Sequence, residues 1–339
     1  MSAAEKFPLP AALERPDLVR LGVVIPALNE EATIADVVAS VPRDIPGVSA
    51  VDVIVVDDGS TDGTRVRSLA AGADAIARHP RRQGLAASFR DGVREALRRG
   101  ATIVVNLDAD GQHDPAMIPR LVEPILAGEA DLVLGVRPLA QDRQMSSARR
   151  YGNLAGSWMV RRTLGMTITD ATTGFRAFSR EALLRLNITS DYTYTLETLI
   201  EAARKRLAVA EVRVPVRPRL VGESRMTRSV TRYVSTAGGQ AARGLIRNGL
   251  VRLLGRAAFA ATLLALLLTC KFLWGYRIDG AGRHLPALLA AILFATTGAA
   301  LFVARLIADG IETTRRLLED ALYSIRRLEV DGFAARRDA

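Results

Sequence analysis

Residues 104–115 read Val-Val-Asn-Leu-Asp-Ala-Asp-Gly-Gln-His-Asp-Pro, and this stretch decides the fold. The apolar run 102–107 predicts a buried strand, which ends in the carboxylates Asp108 and Asp110. Alternate residues of an extended chain point to the same side, so both carboxylates can face one ion, and Gln112 continues the spacing. An all-oxygen set of this kind suits Mg²⁺ or Mn²⁺. The stretch therefore predicts a divalent metal site at the end of a strand.

The alternative is a polar turn that only opens the next helix. Asp114 would be the N-cap of that helix and Pro115 its first residue. This interpretation accounts for Asp114 but leaves Asp108 and Asp110 unexplained.

Composition limits the partners of the chain. Its 339 residues have room for one sizeable α/β domain and a further segment, and its formal net charge is +10. Such a charge favours nucleic acid, anionic lipid or phosphorylated substrates as partners. Nucleic acid is disfavoured, because the chain has no zinc-finger spacing and no basic recognition helix. Residues 1–20 lack an apolar run and are expected to be an N-terminal arm rather than a signal peptide.

Strands and helices alternate along the first half of the chain. The pattern predicts strands at 21–26, 51–56, 73–77, 102–107 and 131–136, with helices at 33–41, 84–99 and 115–126. A later strand is expected at 209–216. This alternation predicts βαβ units and an α/β fold with a mostly parallel, Rossmann-like sheet.

Acidic residues follow three of these strands. Glu30, the pair Asp57 and Asp58, and the pair Asp108 and Asp110 each lie just past a strand end. In an open α/β sheet those ends share one edge, where ligands bind, so the three turns are expected to form one site. Neither a dinucleotide-binding glycine motif nor a P-loop is present.

Five motifs together resemble a known family. Residues 25–30 (Ile-Pro-Ala-Leu-Asn-Glu), 55–62 (Val-Val-Asp-Asp-Gly-Ser-Thr-Asp) and 108–113 resemble, in order and spacing, the GT-A glycosyltransferases of family 2. Residues 170–178 (Asp-Ala-Thr-Thr-Gly-Phe-Arg-Ala-Phe) are similar to a segment of the branch that contains dolichyl-phosphate mannose synthase and other polyprenyl-phosphate glycosyltransferases. Residues 222–225 resemble that branch's Gly-x-Ser-Lys turn, with Arg225 in place of lysine. The resemblance covers roughly residues 20–230.

The resemblance implies an activity and assigns residues to it. A hexose would pass, with inversion, from a UDP- or GDP-sugar to a polyprenyl phosphate. The metal, Mg²⁺ or Mn²⁺, would be held on the donor diphosphate by Asp108, Asp110 and Gln112. The residues expected to bind the nucleotide sugar are Pro26, Ala27, Asn29, Glu30, Asp57, Asp58 and Arg137.

The roles of Asp170 and of the basic residues are less determined. Asp170 could be a general base, could orient a sugar hydroxyl, or could be paired structurally with Arg176 or a neighbour. Arg149, Arg150 and Arg225 are expected to bind the acceptor phosphate, although surface arginines are the commoner case.

The last third of the chain predicts a membrane anchor. Residues 227–256 contain arginines and no acidic residue, which fits the surface of an anionic membrane, and the pair at 238–239 is expected to split them into two short helices. Two apolar runs within 257–304 are each long enough to span a bilayer and predict a transmembrane hairpin. Arginines outside the hairpin predict that both ends, and the catalytic domain, lie on the cytoplasmic side of the cytoplasmic membrane. The tail 305–339 is expected to be an amphipathic helix that packs on the enzyme or on another subunit, which leaves a homo-oligomer open.

The predicted organisation is therefore an arm (1–20), a GT-A catalytic domain (21–226), basic juxtamembrane helices (227–256), a hairpin (257–304) and a helical tail (305–339). Two other functions remain. The chain could be a membrane-tethered family 2 transferase with a different acceptor, or a non-catalytic membrane protein that binds sugar nucleotides. A processive polysaccharide synthase is disfavoured because no Gln-x-x-Arg-Trp motif is present.

Overall fold

The computed structural model describes residues 19–137, 168–188, 194–215, 230–279 and 284–337; within the last two ranges the side chains of 230–252, 312 and 334–337 are left out. Contacts divide the chain into two compact units. One comprises Met1–Ala237 and Tyr323–Ala339, and the other Gly238–Leu322.

The strands of the first unit are β1 (Arg20–Ala27), β2 (Ala50–Asp57), β3 (Ala75–Arg78), β4 (Ile103–Asn106), β5 (Leu132–Val136), β6 (Arg176–Ser179) and β7 (Val209–Arg213). Its helices are α1 (Ile34–Ala39), α2 (Thr64–Ala70), α3 (Leu85–Arg98), α4 (Ile118–Leu126), α5 (Arg180–Arg185) and α6 (Tyr194–Arg204). Two long helices follow, α7 (Val230–Asp279) and α8 (Leu285–Arg337).

The strands form one sheet in the order β3-β2-β1-β4-β6-β5-β7. Every neighbouring pair is parallel except those of β6, which runs antiparallel to β4 and β5. The predicted mostly parallel α/β sheet is confirmed. Apolar residues cover both faces, with α3 packed on one and α1 and α4 on the other.

The reversed strand β6 positions part of the site. Its first residue, Arg176, pairs with Asn106, the last residue of β4. The segment that precedes β6 therefore arrives at the carboxyl edge of the sheet, beside Asp108. Strand β6 could not be predicted from the sequence, because four residues are too few for a clear periodicity.

Helix α7 corrects one expectation. It continues without a break through Gly238 and Gly239, where two short helices were expected. A glycine costs about 1 kcal/mol in a helix interior but can still adopt helical dihedral angles. The helix-forming residues around this pair outweigh that cost.

The second unit contains the apolar parts of α7 and α8. The segments Leu253–Ile278 and Leu285–Phe333 are long and apolar enough to cross a membrane, and only 11% of the most apolar window of each is buried. Within the unit the two helices approach closely, since a Cβ on Gly298 would lie 2.8 Å from Oγ1 of Thr262. By their length, composition and small buried fraction, these helices are candidate membrane spans.

The end of α8 belongs to the first unit. The hydroxyl of Tyr323 donates to Oε1 of Glu181 at 3.0 Å, and Nη1 of Arg326 donates to the carbonyl of Leu186 at 2.9 Å. Val330 is buried and joins the apolar cluster that includes Leu184. The sequence left open whether the tail packs on the enzyme or on another subunit. In the structure, its part from Tyr323 to Phe333 packs on the catalytic unit.

Candidate active site

Three loops meet at the carboxyl edge of the sheet, as the sequence predicts. The backbone N–H of Asn29, after β1, donates to Oγ of Ser60 at 3.0 Å, and Thr61 donates its N–H to Oδ1 of Asn29 at 2.8 Å. The hydroxyl of Thr33 donates to the carbonyl of Ala109 at 2.8 Å. The loop after β1 thus holds the loops after β2 and β4 together.

The remaining residues assigned to the nucleotide sugar line the same edge. Pro26 is half-buried, whereas Ala27 is buried and pairs in register with Asp57. The N–H of Glu30 donates to Oγ1 of Thr64 at 2.9 Å. Asp57 is buried, and its Oδ1 accepts the N–H of Ser60 at 2.8 Å, so its carboxylate shapes the turn after β2.

The carboxylate of Asp58 accepts hydrogen bonds from three other groups of the protein. Its Oδ1 accepts from Nδ1 of His79 and from the N–H of Gln83, both at 2.7 Å, and its Oδ2 accepts the N–H of Gly84 at 2.9 Å. Nε2 of His79 lies 3.0 Å from Asp91 on α3. Asp58 therefore ties the end of β2 to the start of α3. His79 lies 21 residues from Asp58 and belongs to no motif, so this pairing could not be predicted from the sequence.

The residues expected to hold the metal lie together after β4. Asp108, Asp110 and Gln112 are half-buried, and the N–H of Gln112 donates to Oδ1 of Asp110 at 3.1 Å. Gly111 has a φ of 71°, a conformation that glycine adopts without strain. The turn thus keeps Asp110 and Gln112 on one short loop.

Gly174 forms a close wall against Asp108. A Cβ at this position would lie 2.6 Å from Oδ2 and 2.8 Å from Oδ1 of the carboxylate. Gly174 does not have a positive φ in the described structure, so space rather than backbone conformation requires glycine here. The absence of a side chain leaves room for the Asp108 carboxylate.

These side chains fit a hard divalent cation. Within the described residues, no group of three His, Cys, Asp or Glu side chains could hold a metal by itself. Two carboxylates and an amide oxygen nevertheless suit Mg²⁺ or Mn²⁺, because such ions bind proteins through one or two carboxylates and complete their shell with water and substrate phosphate. The donor set agrees with a cation that binds together with a diphosphate.

His113 is a buried neutral residue next to this loop. Burial lowers its pKa to about 4, the charge of Arg137 lowers it further, and the charges of Asp110 and Asp170 oppose the shift. Its ring lies 5.2 Å from that of Phe175. The imidazole is therefore uncharged near pH 7.

Arg137 and Asp170 form a buried ion pair at the end of β5. Nε and Nη2 of Arg137 lie 2.7 and 3.2 Å from the two oxygens of Asp170, and Nη2 also donates to Oγ1 of Thr172 at 3.0 Å. Burial alone would raise the pKa of Asp170, but the hydrogen bonds and charge of Arg137 hold it below its usual range. The partner is Arg137, whereas the guanidinium of Arg176 donates to carbonyls and to Thr198.

The three arginines expected to bind the acceptor phosphate, Arg149, Arg150 and Arg225, lie outside the described residues.

Comparison with known proteins identifies the family. The sequence model of the family described as glycosyl transferase family 2 matches residues 22–186 of the chain. An undecaprenyl-phosphate mannosyltransferase of Micrococcus luteus is 31% identical over 219 residues, which cover 62% of this chain and 88% of the relative. The chain belongs to glycosyl transferase family 2. A polyprenol monophosphomannose synthase of Mycolicibacterium smegmatis is 32% identical to this family 2 enzyme over 218 residues. The aligned region covers 61% of this chain and 81% of the synthase.

Solved structures support the same fold. Glucosyl-3-phosphoglycerate synthase from Mycobacterium tuberculosis, in complex with Mn²⁺, UDP and glucosyl-3-phosphoglycerate, has 28% identity and a TM-score of 0.55, covering 71% of this chain and 85% of its own. A further structure of that synthase contains Mg²⁺ and UDP. The predictions of a GT-A fold and of glycosyltransferase activity are confirmed for this family 2 enzyme.

Proposed function

We propose that this glycosyltransferase transfers a hexose from a nucleoside-diphosphate sugar to a polyprenyl phosphate at a membrane surface. The observation that carries the proposal is the meeting of three acidic loops at one sheet edge, in a chain whose relatives include polyprenyl-phosphate mannosyltransferases over 81–88% of their length. The two apolar helices agree with a lipid acceptor.

The donor would lie across the carboxyl edge. Asp108, Asp110 and Gln112 would hold Mg²⁺ or Mn²⁺ against the diphosphate, where the ion neutralises the charge that develops on the leaving oxygen. The loops after β1 and β2 would hold the nucleoside through the residues Pro26, Ala27, Asn29, Glu30, Asp57 and Asp58. Asp58 would contribute through Oδ2, which accepts one hydrogen bond from Gly84 and can accept another.

The acceptor chemistry explains why Asp170 can be committed to an ion pair. A phosphate monoester has a second pKa near 6, so it is largely dianionic at neutral pH and attacks without a general base. Asp170 and Thr172 instead fix the orientation of Arg137, which would contact the donor diphosphate. Inversion at the anomeric carbon would follow from direct displacement. The geometry thus favours the structural alternative for Asp170.

The acceptor would approach from the cytoplasmic face of the membrane. Its phosphate would be bound by Arg149, Arg150 and Arg225, since one guanidinium group can donate two parallel hydrogen bonds to the oxygens of a phosphate. The arginine-rich start of α7 would lie against anionic lipid.

The test uses full-length protein purified in detergent with a polyprenyl phosphate and a panel of labelled UDP- and GDP-hexoses. Labelled lipid in the organic phase, dependent on Mg²⁺ or Mn²⁺ and lost in Asp110→Asn, is expected. Asp110→Asn replaces a charged ligand by a neutral one of the same shape. Transfer only to phosphoglyceric acid, supplied in parallel, would overturn the lipid acceptor. Binding without turnover for every donor would indicate a non-catalytic sugar-nucleotide protein.

A further inference from the structure

Two buried polar side chains lie behind the Asp108 carboxylate and hold the wall that touches it. Nδ2 of Asn106 donates to the carbonyl of Gly174 at 2.9 Å and to the hydroxyl of Tyr194 at 2.8 Å. That hydroxyl in turn donates to the same Gly174 carbonyl at 3.1 Å. The Asn106 amide, the Tyr194 hydroxyl and the Gly174 carbonyl thus form a closed triangle of hydrogen bonds.

The orientation of this triangle is determined by its chemistry. The opposite orientation of the Asn106 amide would set Oδ1 against the Gly174 carbonyl, and two acceptors cannot bond each other. In the observed orientation Oδ1 of Asn106 is buried without a hydrogen-bond partner. An unsatisfied buried acceptor lowers the stability of the fold. Here that loss accompanies the two hydrogen bonds that Nδ2 donates, one to the Gly174 carbonyl and one to the Tyr194 hydroxyl.

Tyr194 is held rigidly from its other side. The residue is fully buried, and its ring stacks on Phe89 with centroids 4.1 Å apart and planes 4° from parallel. Burial, reinforced by the charge of Asp108, raises the pKa of its hydroxyl, which therefore remains protonated and able to donate.

A second link connects α6 to the segment that contains Gly174. The buried guanidinium of Arg176 donates to the carbonyls of Ala171 and Thr173 and, on α6, to the carbonyl of Thr195. The Gly174 turn is thus fastened to α6 on both sides, by Tyr194 and by Arg176.

We propose that Tyr194 and Asn106 are positioning residues for the metal site: together they hold Gly174 against Asp108 and so preset that carboxylate for the divalent cation. The inference rests on the proposed role of Asp108 and Asp110 as metal ligands. It follows from the closeness of the Gly174 backbone to Asp108: a Cβ built on this glycine would lie 2.6 Å from Oδ2 of the carboxylate, so the position of Gly174 limits how the carboxylate can turn. If the wall moved, the carboxylate would gain orientations that do not face the ion.

The first test measures Mn²⁺ binding to the full-length protein in detergent, with free Mn²⁺ followed by electron paramagnetic resonance. Tyr194→Phe removes only the hydroxyl and keeps the stacked ring. We expect its Mn²⁺ dissociation constant to rise roughly tenfold, the usual size of an effect from a group that orients a metal ligand. The matched control is Tyr323→Phe, which loses a hydroxyl bonded to Glu181 and should bind Mn²⁺ like the wild type.

A second variant, Asn106→Leu, tests the same triangle independently. Leucine has the same number and branching of side-chain heavy atoms and removes both donors together with the unsatisfied Oδ1, so the fold can be retained where Tyr194→Phe is unstable. Both variants act through one carbonyl, so the double variant should weaken Mn²⁺ binding roughly tenfold rather than roughly a hundredfold. A hundredfold loss would mean that the two residues act separately and would overturn the proposal.

Kinetics separate positioning from general damage. The Mn²⁺ concentration for half-maximal transfer should rise in Tyr194→Phe, whereas kcat at saturating Mn²⁺ should approach the wild-type value. Equal weakening by Tyr194→Phe and Tyr323→Phe, or a kcat that saturating Mn²⁺ does not restore, would overturn the inference. Wild-type Mn²⁺ affinity in Tyr194→Phe, with binding lost in Asp110→Asn, would overturn this inference alone. Unchanged affinity in Asp110→Asn would overturn the proposed metal site as well.

Discussion

Arg137 holds Asp170 with two nitrogens, Nε at 2.7 Å from Oδ2 and Nη2 at 3.2 Å from Oδ1. Asp170 is fully buried, and only 10% of the Arg137 side chain is exposed. Because both oxygens of the Asp170 carboxylate are paired with Arg137, Asp170 is suited to orienting the Arg137 guanidinium at the end of β5. A proton acceptor would need an oxygen directed at the substrate.

Asp170→Asn should destabilise the catalytic unit, because it leaves the charge of Arg137 buried without its partner. We expect a loss of about 3 kcal/mol, or a melting temperature lower by roughly 6–12 °C. Thermal melts followed by fluorescence measure this. Asp331→Asn, at the exposed pair with Arg180, is the control and should change the free energy of unfolding by less than about 1 kcal/mol.

The same pair predicts a pH dependence. The pKa of Asp170 is depressed in the folded state, so the pair stabilises the protein above the ordinary pKa of 3.8, and that stabilisation is lost as the pH falls through the folded-state value. Wild-type melting temperatures should therefore drop below about pH 4 more steeply than those of Asp170→Asn. Parallel curves for the two proteins would contradict this assignment.

Gly174→Ala should disrupt the proposed metal site while leaving the backbone unstrained. The new methyl group would occupy the space of the Asp108 carboxylate, so transfer activity should fall by at least about tenfold and Mn²⁺ binding should weaken. Gly310→Ala, where a Cβ meets no neighbouring atom within 4 Å, should retain full activity. An active Gly174→Ala enzyme with normal Mn²⁺ affinity would show that Asp108 has room to move.

Val330→Asp should detach the end of α8 from the catalytic unit. Val330 is 8% exposed within an apolar cluster, and an unpaired carboxylate there costs several kcal/mol. Leu328→Asp, on the same helix but 73% exposed, should change the free energy of unfolding by no more than about 0.5 kcal/mol. Equal melting temperatures for the two variants would argue against the observed docking.

Arg225→Ala and Arg149→Ala test the proposed acceptor site. Each should raise the apparent KM for the polyprenyl phosphate far more than that for the sugar nucleotide, because each removes a cation from the lipid phosphate alone. Arg120→Ala, at an exposed position on α4, should alter neither constant. Equal rises in both KM values, or none, would remove these arginines from the acceptor site.

Membrane topology can be measured with reporter fusions. A reporter after Ala339 should lie in the cytoplasm and one inserted after Asp279 outside it, because the arginines that flank the hairpin outnumber the basic residues of its loop, and basic residues favour the cytoplasmic side. Both reporters on one side would exclude a hairpin.

Sequence patterns were informative where chemistry is local. Asp108 and Asp110 follow an apolar strand directly, and parallel strands share one carboxyl edge, so their meeting with the loop of Asn29 could be predicted. The partner of Asp58 could not, because His79 approaches it only through tertiary packing. The position of Gly174 was likewise hidden, since it depends on a reversed strand of four residues. Asn106 offered a local signal that was missed, because it is a polar residue at the end of an otherwise apolar strand.

The docking of Tyr323–Phe333 on the catalytic unit also sets an order of events in biosynthesis. These residues form the end of α8 and follow the apolar parts of both long helices along the chain, and domains fold as their residues emerge from the ribosome. The apolar surface that Val330 covers is therefore exposed in the nascent chain until both helices have been synthesised. A chain cleaved between Arg305 and Leu322 would keep that surface exposed, which makes it a substrate for cellular quality control.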